Sequence, residues 1–379
     1  MDPRQPIPSL CLLPWLVGGA VAIWALIPLV WVYAHYLPDR SPTGAASGTP
    51  VDELQCMAWI VDAGRNWLSS SLWGIAPQHH DFLRPMYTPS GVLVRLGASV
   101  QLAYLIWKPV AVVVLVAGFA PYVRRRLAGG AQRAAALLLA LFYVTPVAAL
   151  LEWGLGAPSR EFELALPVNN LFPAGATWGQ HHAAVAFGLS AAFVIGLERL
   201  LAAARGRPPL ARLAGVGAAG VVVAWLRPWQ GATLILIVLG VAAWRRERRR
   251  LGALAALCAA VALPLVYYYL LGRLDPAWRE ADALIGREFP RPWALAAALL
   301  PLAAFAALGV SRARLHRRRV RHQSRRPRAL PAHSASCRLA RLRRALRGPA
   351  PGAPVGRALP GPGRRAERDE RDARGGDRA

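Results

Sequence analysis

Lysine is all but missing from this chain of 379 residues: Lys108 is the only one, and every other basic side chain except histidine is arginine. Cysteine is scarce too. Cys11, Cys56, Cys258 and Cys337 share no metal-like spacing and two of them fall in apolar runs, which excludes a disulfide framework and a zinc site. No Walker sequence is present and no G-x-G-x-x-G opens a helix after a strand, which argues against a cytoplasmic ATP or nucleotide-sugar site. HxxxH and HExxH spacings are absent as well. Acids are few, 20 against 46 Lys and Arg, for a net charge of +26. From Arg312 onward 21 arginines meet 5 acids, so most of that excess sits in the tail and nucleic acid is not the expected partner.

Apolar sequence fills the chain instead. With 55% hydrophobic residues, a mean hydropathy of +0.30 and repeated runs near spanning length, it reads as an integral membrane protein. Eight runs stand out: Leu10 to Tyr36, Leu102 to Val123, Ala134 to Leu151, Ala183 to Ala204, Leu213 to Leu226, Ala232 to Trp244, Leu251 to Leu271 and Trp293 to Val310. The first is too long for an ordinary signal-peptide core and has no small-residue cleavage site, so an uncleaved span is expected. Arginine clusters follow the second, fourth and sixth runs, while the alternate loops mix acids, His and Trp. The positive-inside rule then sets the N-terminus in the cytoplasm. At about 1.5 Å per residue the Leu213 and Ala232 runs cover only about 20 Å of a core near 30 Å, so that hairpin is expected to be tilted or re-entrant.

The expected fold is all-α: a polytopic bundle of about eight transmembrane helices over residues 1–311, with a long first extracytoplasmic loop, 37–97, that contains an amphipathic juxtamembrane helix. Heavy use of Ala, Gly, Pro and Arg points to a GC-rich bacterial source and hence to the inner (plasma) membrane. The tail, 312–379, is rich in Arg and Pro. Its composition fits two readings, a disordered segment that touches anionic lipid and an out-of-frame translation product.

The amphipathic stretch runs from Thr49 to Trp73. Thr49 suits an N-cap, Pro50 the first helical position and Asp52 the acid of a capping box. At helical period Leu54, Met57, Val61, Leu68 and Leu72 share one face, while Asp52, Gln55, Asp62, Asn66 and Ser69 share the other. Asp52 therefore has a structural duty, whereas Glu53 has only the helix dipole to complement, and the two stand level as candidate acids. Later in the loop His80, Asp81 and Arg84 offer a cluster able to bind a phosphate or a divalent ion, with His79 beside them and His181 and His182 as a second pair on the same side. Lys108 sits inside the second span, followed by Pro109, which should open the helix hydrogen bonding there. Arg227 and Gln230, in the turn RPWQG, are the residues of that turn without a structural reason. The loop from Arg273 to Pro292 is expected to carry an interfacial helix anchored by Trp278 and Phe289, with Asp275 and Glu280 at the surface.

A first span followed by a long outer loop whose helix opens on Asp52-Glu53 resembles the GT-C class of integral-membrane glycosyltransferases, which includes protein O-mannosyltransferases and aminoarabinose transferases. The likeness covers the layout from Met1 to about Val310, with Asp39 a weaker match for the acidic position. It implies transfer of a sugar from a polyprenyl-phosphate carrier to an extracytoplasmic acceptor, with Asp52 or Glu53 as base or metal ligand. A divalent cation, Mg or Mn, is the cofactor it admits. Arg84, Lys108 and Arg227 become phosphate-clamp candidates, with His80, Asp81 and Gln230 as further substrate contacts. Two alternatives stay open: a non-enzymatic transporter or flippase of lipid-linked intermediates, against which the lack of an internal repeat counts, and a truncated, inactive relative of the class.

Overall fold

The computed structural model describes residues 9–36, 43–45, 50–73, 78–142, 173–202, 209–245 and 250–284, with isolated positions at 296, 300, 303, 304 and 307. The chain divides into units Met1–Ala307 and Leu308–Ala379, and every described residue lies in the first. The tail, Asp39, Thr49, Phe289, the eighth run apart from its isolated positions, and most of the loop after the third run fall outside the described residues.

The described part is helical, with no strand and a single antiparallel bridge between Ser69 and Phe82. Its helices are α1 (Ser9–Tyr36), α2 (Pro50–Asn66), α3 (Tyr87–Arg95), α4 (Val100–Leu105), α5 (Trp107–Arg126), α6 (Gly130–Phe142), α7 (His181–Ala202), α8 (Leu210–Leu226), α9 (Pro228–Arg245), α10 (Leu251–Leu274) and α11 (Pro276–Leu284). A short 3-10 turn, Gly175–Thr177, precedes α7. Among the described residues, four stretches are long and apolar enough to cross a membrane: Leu13–His35, Val100–Arg126, His181–Ala202 and Leu251–Leu274. Gly130–Phe142 and Leu210–Leu226 are shorter apolar helices.

Three local features were not set by apolar length alone. The second run is broken at Ile106, where α4 ends and α5 begins. Pro109 explains the break, because it lacks an N–H and its ring crowds the carbonyl of Leu105, four residues back. The expected turn RPWQG is shorter than anticipated: Arg227 alone separates α8 from α9, and Pro228 takes the first helical position of α9. The Arg227 carbonyl accepts from Gln230 and Gly231, so Gln230 belongs to a helical turn.

The third concerns α2. Its buried residues are Glu53, Cys56, Met57, Trp59, Ile60 and Ala63, while Leu54 is exposed and Leu68 and Leu72 lie beyond its end. The inward face is therefore rotated relative to the one read from Leu54 and Val61. The helix stops at Asn66 because Trp67 turns left-handed (φ 69°) and Asp62 captures the segment around Ser70. The Asp62 carboxylate accepts from the Ser70 amide at 2.6 Å, the Ser70 hydroxyl at 2.9 Å and the Asn66 side chain at 2.9 Å. Serines compete in this way with a helical backbone.

α5 and α7 form the centre, with α8 against α7, α10 against α8, α9 against α8 and α10, and α1 on the other side of α5. Glycines allow the central contact. A methyl on Gly118 would stand 2.0 Å from the Gly188 carbonyl oxygen, and one on Gly188 would stand 2.3 Å from that of Val114. Backbone-to-backbone packing of this kind is how apolar helices associate where there is no water to expel. The C-terminal ends of α5 and α7 lie together, joined by Arg126 to Glu198, and Arg250 at the start of α10 bonds the Leu200 carbonyl at the same end. The starts of α5, α7 and α9 and the end of α8 consequently gather at the opposite end of the bundle.

A candidate anion site at the helix starts

At that opposite end is a cavity of about 260 Å³. Asp52 from α2, Arg84 from the loop before α3, His182 from α7, and Arg227 and Trp229 from the α8–α9 junction line it, with Trp59 and Tyr87 behind. Four candidates separated by up to 175 positions in the chain thus meet in one small space.

Arg84 is fixed by what it touches. Its guanidinium donates to the Tyr87 hydroxyl at 3.1 Å and to the Leu226 carbonyl at 2.9 Å, while Nε has no partner among the described residues. The loop that carries it is held equally firmly. Trp225 Nε1 donates to the Leu83 carbonyl (2.8 Å), the Leu83 amide donates to the Tyr267 hydroxyl (2.7 Å), and that hydroxyl donates to the Asp81 carbonyl at 2.5 Å. Arg227 is buried, with its guanidinium over the rings of Phe187 (5.4 Å) and Trp229 (5.0 Å). The two arginines are near enough for their charges to oppose one another. Burial raises the Tyr87 phenol and the Cys56 thiol, whose hydroxyl and sulfur lie 3.3 Å apart, so both stay neutral beside Arg84.

The paired acids of α2 part company. Asp52 is exposed at the cavity. Glu53 is 1% exposed and takes the Tyr104 hydroxyl at 3.2 Å, the same hydroxyl standing 2.6 Å from the Gly179 carbonyl. Lys108, 4% exposed, is not among the residues that line the cavity and donates to a cage of backbone carbonyls: Trp178 at 2.7 Å, Thr177 at 3.0 Å and Ala25 at 3.4 Å. Its three donors are used there, which ties α1, α5 and the approach to α7 together and leaves none for a phosphate.

The other candidates scatter. His80 pairs with Asp62 at 3.3 Å and His79 is exposed, both away from the cavity. Asp81 lies under Trp278, whose indole reaches it at 3.4 Å. Burial and the neighbouring Asp275 raise the Asp81 carboxyl. Asp275 is buried rather than at the surface, where it caps α11 by accepting from the Ala277 amide at 2.7 Å. His181 is fully buried edge-on to Tyr104, and neither ring nitrogen has a partner among the described residues. Gln230 lines a neighbouring groove. Among the described residues no three of His, Cys, Asp and Glu converge. One carboxylate, one imidazole and two guanidiniums lining one cavity make a donor set better suited to an anion than to Mg or Mn.

The groove, of about 660 Å³, runs between α5, α7 and α9 past Phe119, Tyr122, Phe187, Val194, Leu234 and Ile237, and is predominantly apolar. Trp229 belongs to both spaces. Sequence reasoning had no route to Trp59, Tyr87 or the Gly179-Gln180 pair as cavity walls, since each reads as ordinary core or loop. No family model matches the chain, and neither a curated protein nor a solved structure matches it.

Proposed function

We propose that the chain is a glycosyltransferase of the bacterial inner membrane that moves a sugar from a polyprenyl-phosphate carrier to an acceptor hydroxyl on the outer face. The observation that supports it is the contact between two unlike spaces. A cavity bearing Arg84 and Arg227 opposite Asp52 adjoins an apolar groove through Trp229. A lipid-linked phosphate is amphiphilic in just that way, with the chain suited to the groove and the charge to the arginines.

In the reaction the bond between the anomeric carbon and the phosphate oxygen breaks, and a bond from that carbon to the acceptor oxygen forms. The acceptor proton passes to the Asp52 carboxylate as general base. The electron pair of the broken bond stays on the departing phosphate, whose growing charge is met by Arg84 and Arg227. His182, beside both arginines, is positioned to hydrogen-bond the same group. The basic ends at Arg124, Arg125, Arg126 and Arg245, away from the cavity, support an orientation with those ends and the N-terminus in the cytoplasm. We infer about eight spans in all, with membrane lipid, the lipid-linked donor and the outer acceptor as partners.

The test is transfer from a labelled polyprenyl-phosphate sugar by the full chain in lipid nanodiscs. Arg227→Gln should raise KM at least about tenfold, the loss of one charge-assisted contact, and unlabelled polyprenyl phosphate should compete. Equal competition by polyprenol, which lacks the phosphate, would remove the arginines from the donor site.

A further inference from the structure

A second recess of about 610 Å³ opens where α10 meets α11, and nothing in the reaction above uses it. Trp73, Phe82, Tyr269 and Trp278 wall it, and Arg273 and Arg279 reach into it from the end of α10 and from α11. Trp278 is held in place, with its ring 4.5 Å from that of Phe82 and its indole nitrogen on Asp81. Trp73 and Tyr269 are exposed, as are both arginines. Arg273 lies over the Tyr269 ring at 5.4 Å, and neither arginine has an ion pair among the described residues.

We propose that this recess binds a saccharide ring that carries an acidic group. Flat aromatic faces around a concave space receive the C–H faces of a pyranose, which supplies shape without charge. Two guanidiniums with no ion pair among the described residues, at the same opening, select a carboxylate, which they hold through paired N–H donors. A lipid headgroup shares the charge but not the ring. Phe82 is buried and Trp278 half-buried while Trp73 and Tyr269 are exposed, so the aromatic wall continues from inside the recess to its surface, which suits a ring seated in it.

The recess is one ring away from the anion site. Trp59 lines that site and stands 5.4 Å from Phe82 and 6.4 Å from Trp278, centre to centre. As a binding site it stands without the transfer reaction. As the place of the acceptor it rests on the glycosyltransferase reading.

Binding is therefore measured without donor, on the full chain in nanodiscs of neutral lipid, by tryptophan fluorescence and calorimetry. The probes are a disaccharide containing glucuronic acid and its neutral glucose counterpart. The acidic sugar should bind saturably and about tenfold or more tightly than the neutral one. Arg273→Gln with Arg279→Gln should abolish that preference, and Trp73→Ala should weaken both sugars by about tenfold. These three side chains are exposed, so the fold is expected to survive their loss. Equal affinity for the two sugars, or no saturable binding, would overturn the proposal. So would arginine variants that lose affinity only for anionic vesicles, which would make the recess a lipid contact. Saccharide binding without transfer activity would sustain this site and remove the reaction.

Discussion

Replacing the two acids of α2 one at a time separates chemistry from architecture. Asp52→Asn removes a charge from an exposed first-turn position, where a carboxylate contributes about 0.3–1 kcal/mol through the helix dipole. The variant should therefore melt close to the wild type. Loss of a general base, by contrast, should reduce turnover by about 10²–10⁴. Glu53→Gln acts inside the protein, where the side chain is 1% exposed and meets the Tyr104 hydroxyl at 3.2 Å. Tyr104 has one proton and stands closer to the Gly179 carbonyl, so an amide in place of the carboxylate leaves an imperfect set of donors. A buried polar group left short of a partner costs about 1–3 kcal/mol. The expected pattern is a stable, inactive Asp52 variant and a destabilised Glu53 variant whose turnover per folded molecule is nearly normal. Thermal unfolding in detergent and single-turnover transfer are measured on the same preparations. A stable but dead Glu53→Gln protein, or full turnover in Asp52→Asn, would reverse the assignment.

Other perturbations test the frame around the site. Lys108→Met should lower the melting temperature with no donor present, since it leaves the carbonyls of Thr177 and Trp178 buried at a cost of about 1–3 kcal/mol; a donor defect at unchanged stability would instead return Lys108 to the phosphate. Gly118→Ala should destabilise the α5–α7 contact by at least about 1–3 kcal/mol of overpacking, whereas Gly240→Ala, with open space around it, should be silent; equal melting temperatures would refute the close approach. Asp62 and Asp81 should give opposite pH signatures. Burial opposes ionisation of Asp62, but Ser70, Asn66 and His80 outweigh it and hold the carboxylate below its ordinary value of 3.8. Its contribution is thus present above that value and is lost as pH falls through the still lower folded value. Asp81 is raised by burial and by Asp275, so its contribution is present below 3.8 and is lost as pH rises through the higher folded value. Asp81→Asn should accordingly stabilise the protein near about pH 7 and not in acid, and hydrogen exchange at Ser70 should quicken only in acid.

Part of the frame was legible because apolar length is a one-dimensional signal. The runs that became α1, α5, α7 and α10 needed only counting, and Pro109 announced the break that comes after Leu105. The inward face of α2 was not legible. Leu54 is apolar yet exposed and Glu53 is charged yet buried, where it accepts from the Tyr104 hydroxyl, 51 positions later. The surroundings of Lys108 were not legible for a similar reason. A lone charge in an apolar run looks functional, and the carbonyl cage that satisfies it is assembled from α1 and from the turn before α7. Arg84 and Arg227 were singled out for their chemistry alone. Their meeting depends on the loop 78–86 docking on α8 and α10 through Trp225 and Tyr267, a tertiary event that no local pattern encodes.

Trp59 is a single indole with a charged space on one side and an aromatic one on the other, its nitrogen fixed to the Ser70 carbonyl at 3.0 Å. Trp59 lines the first space and packs on Phe82 and Trp278, which wall the second, so one ring contact links the two chambers. Any occupant of one that tilts the ring reshapes the other, and reciprocity then requires the second occupant to change the affinity for the first by the same factor.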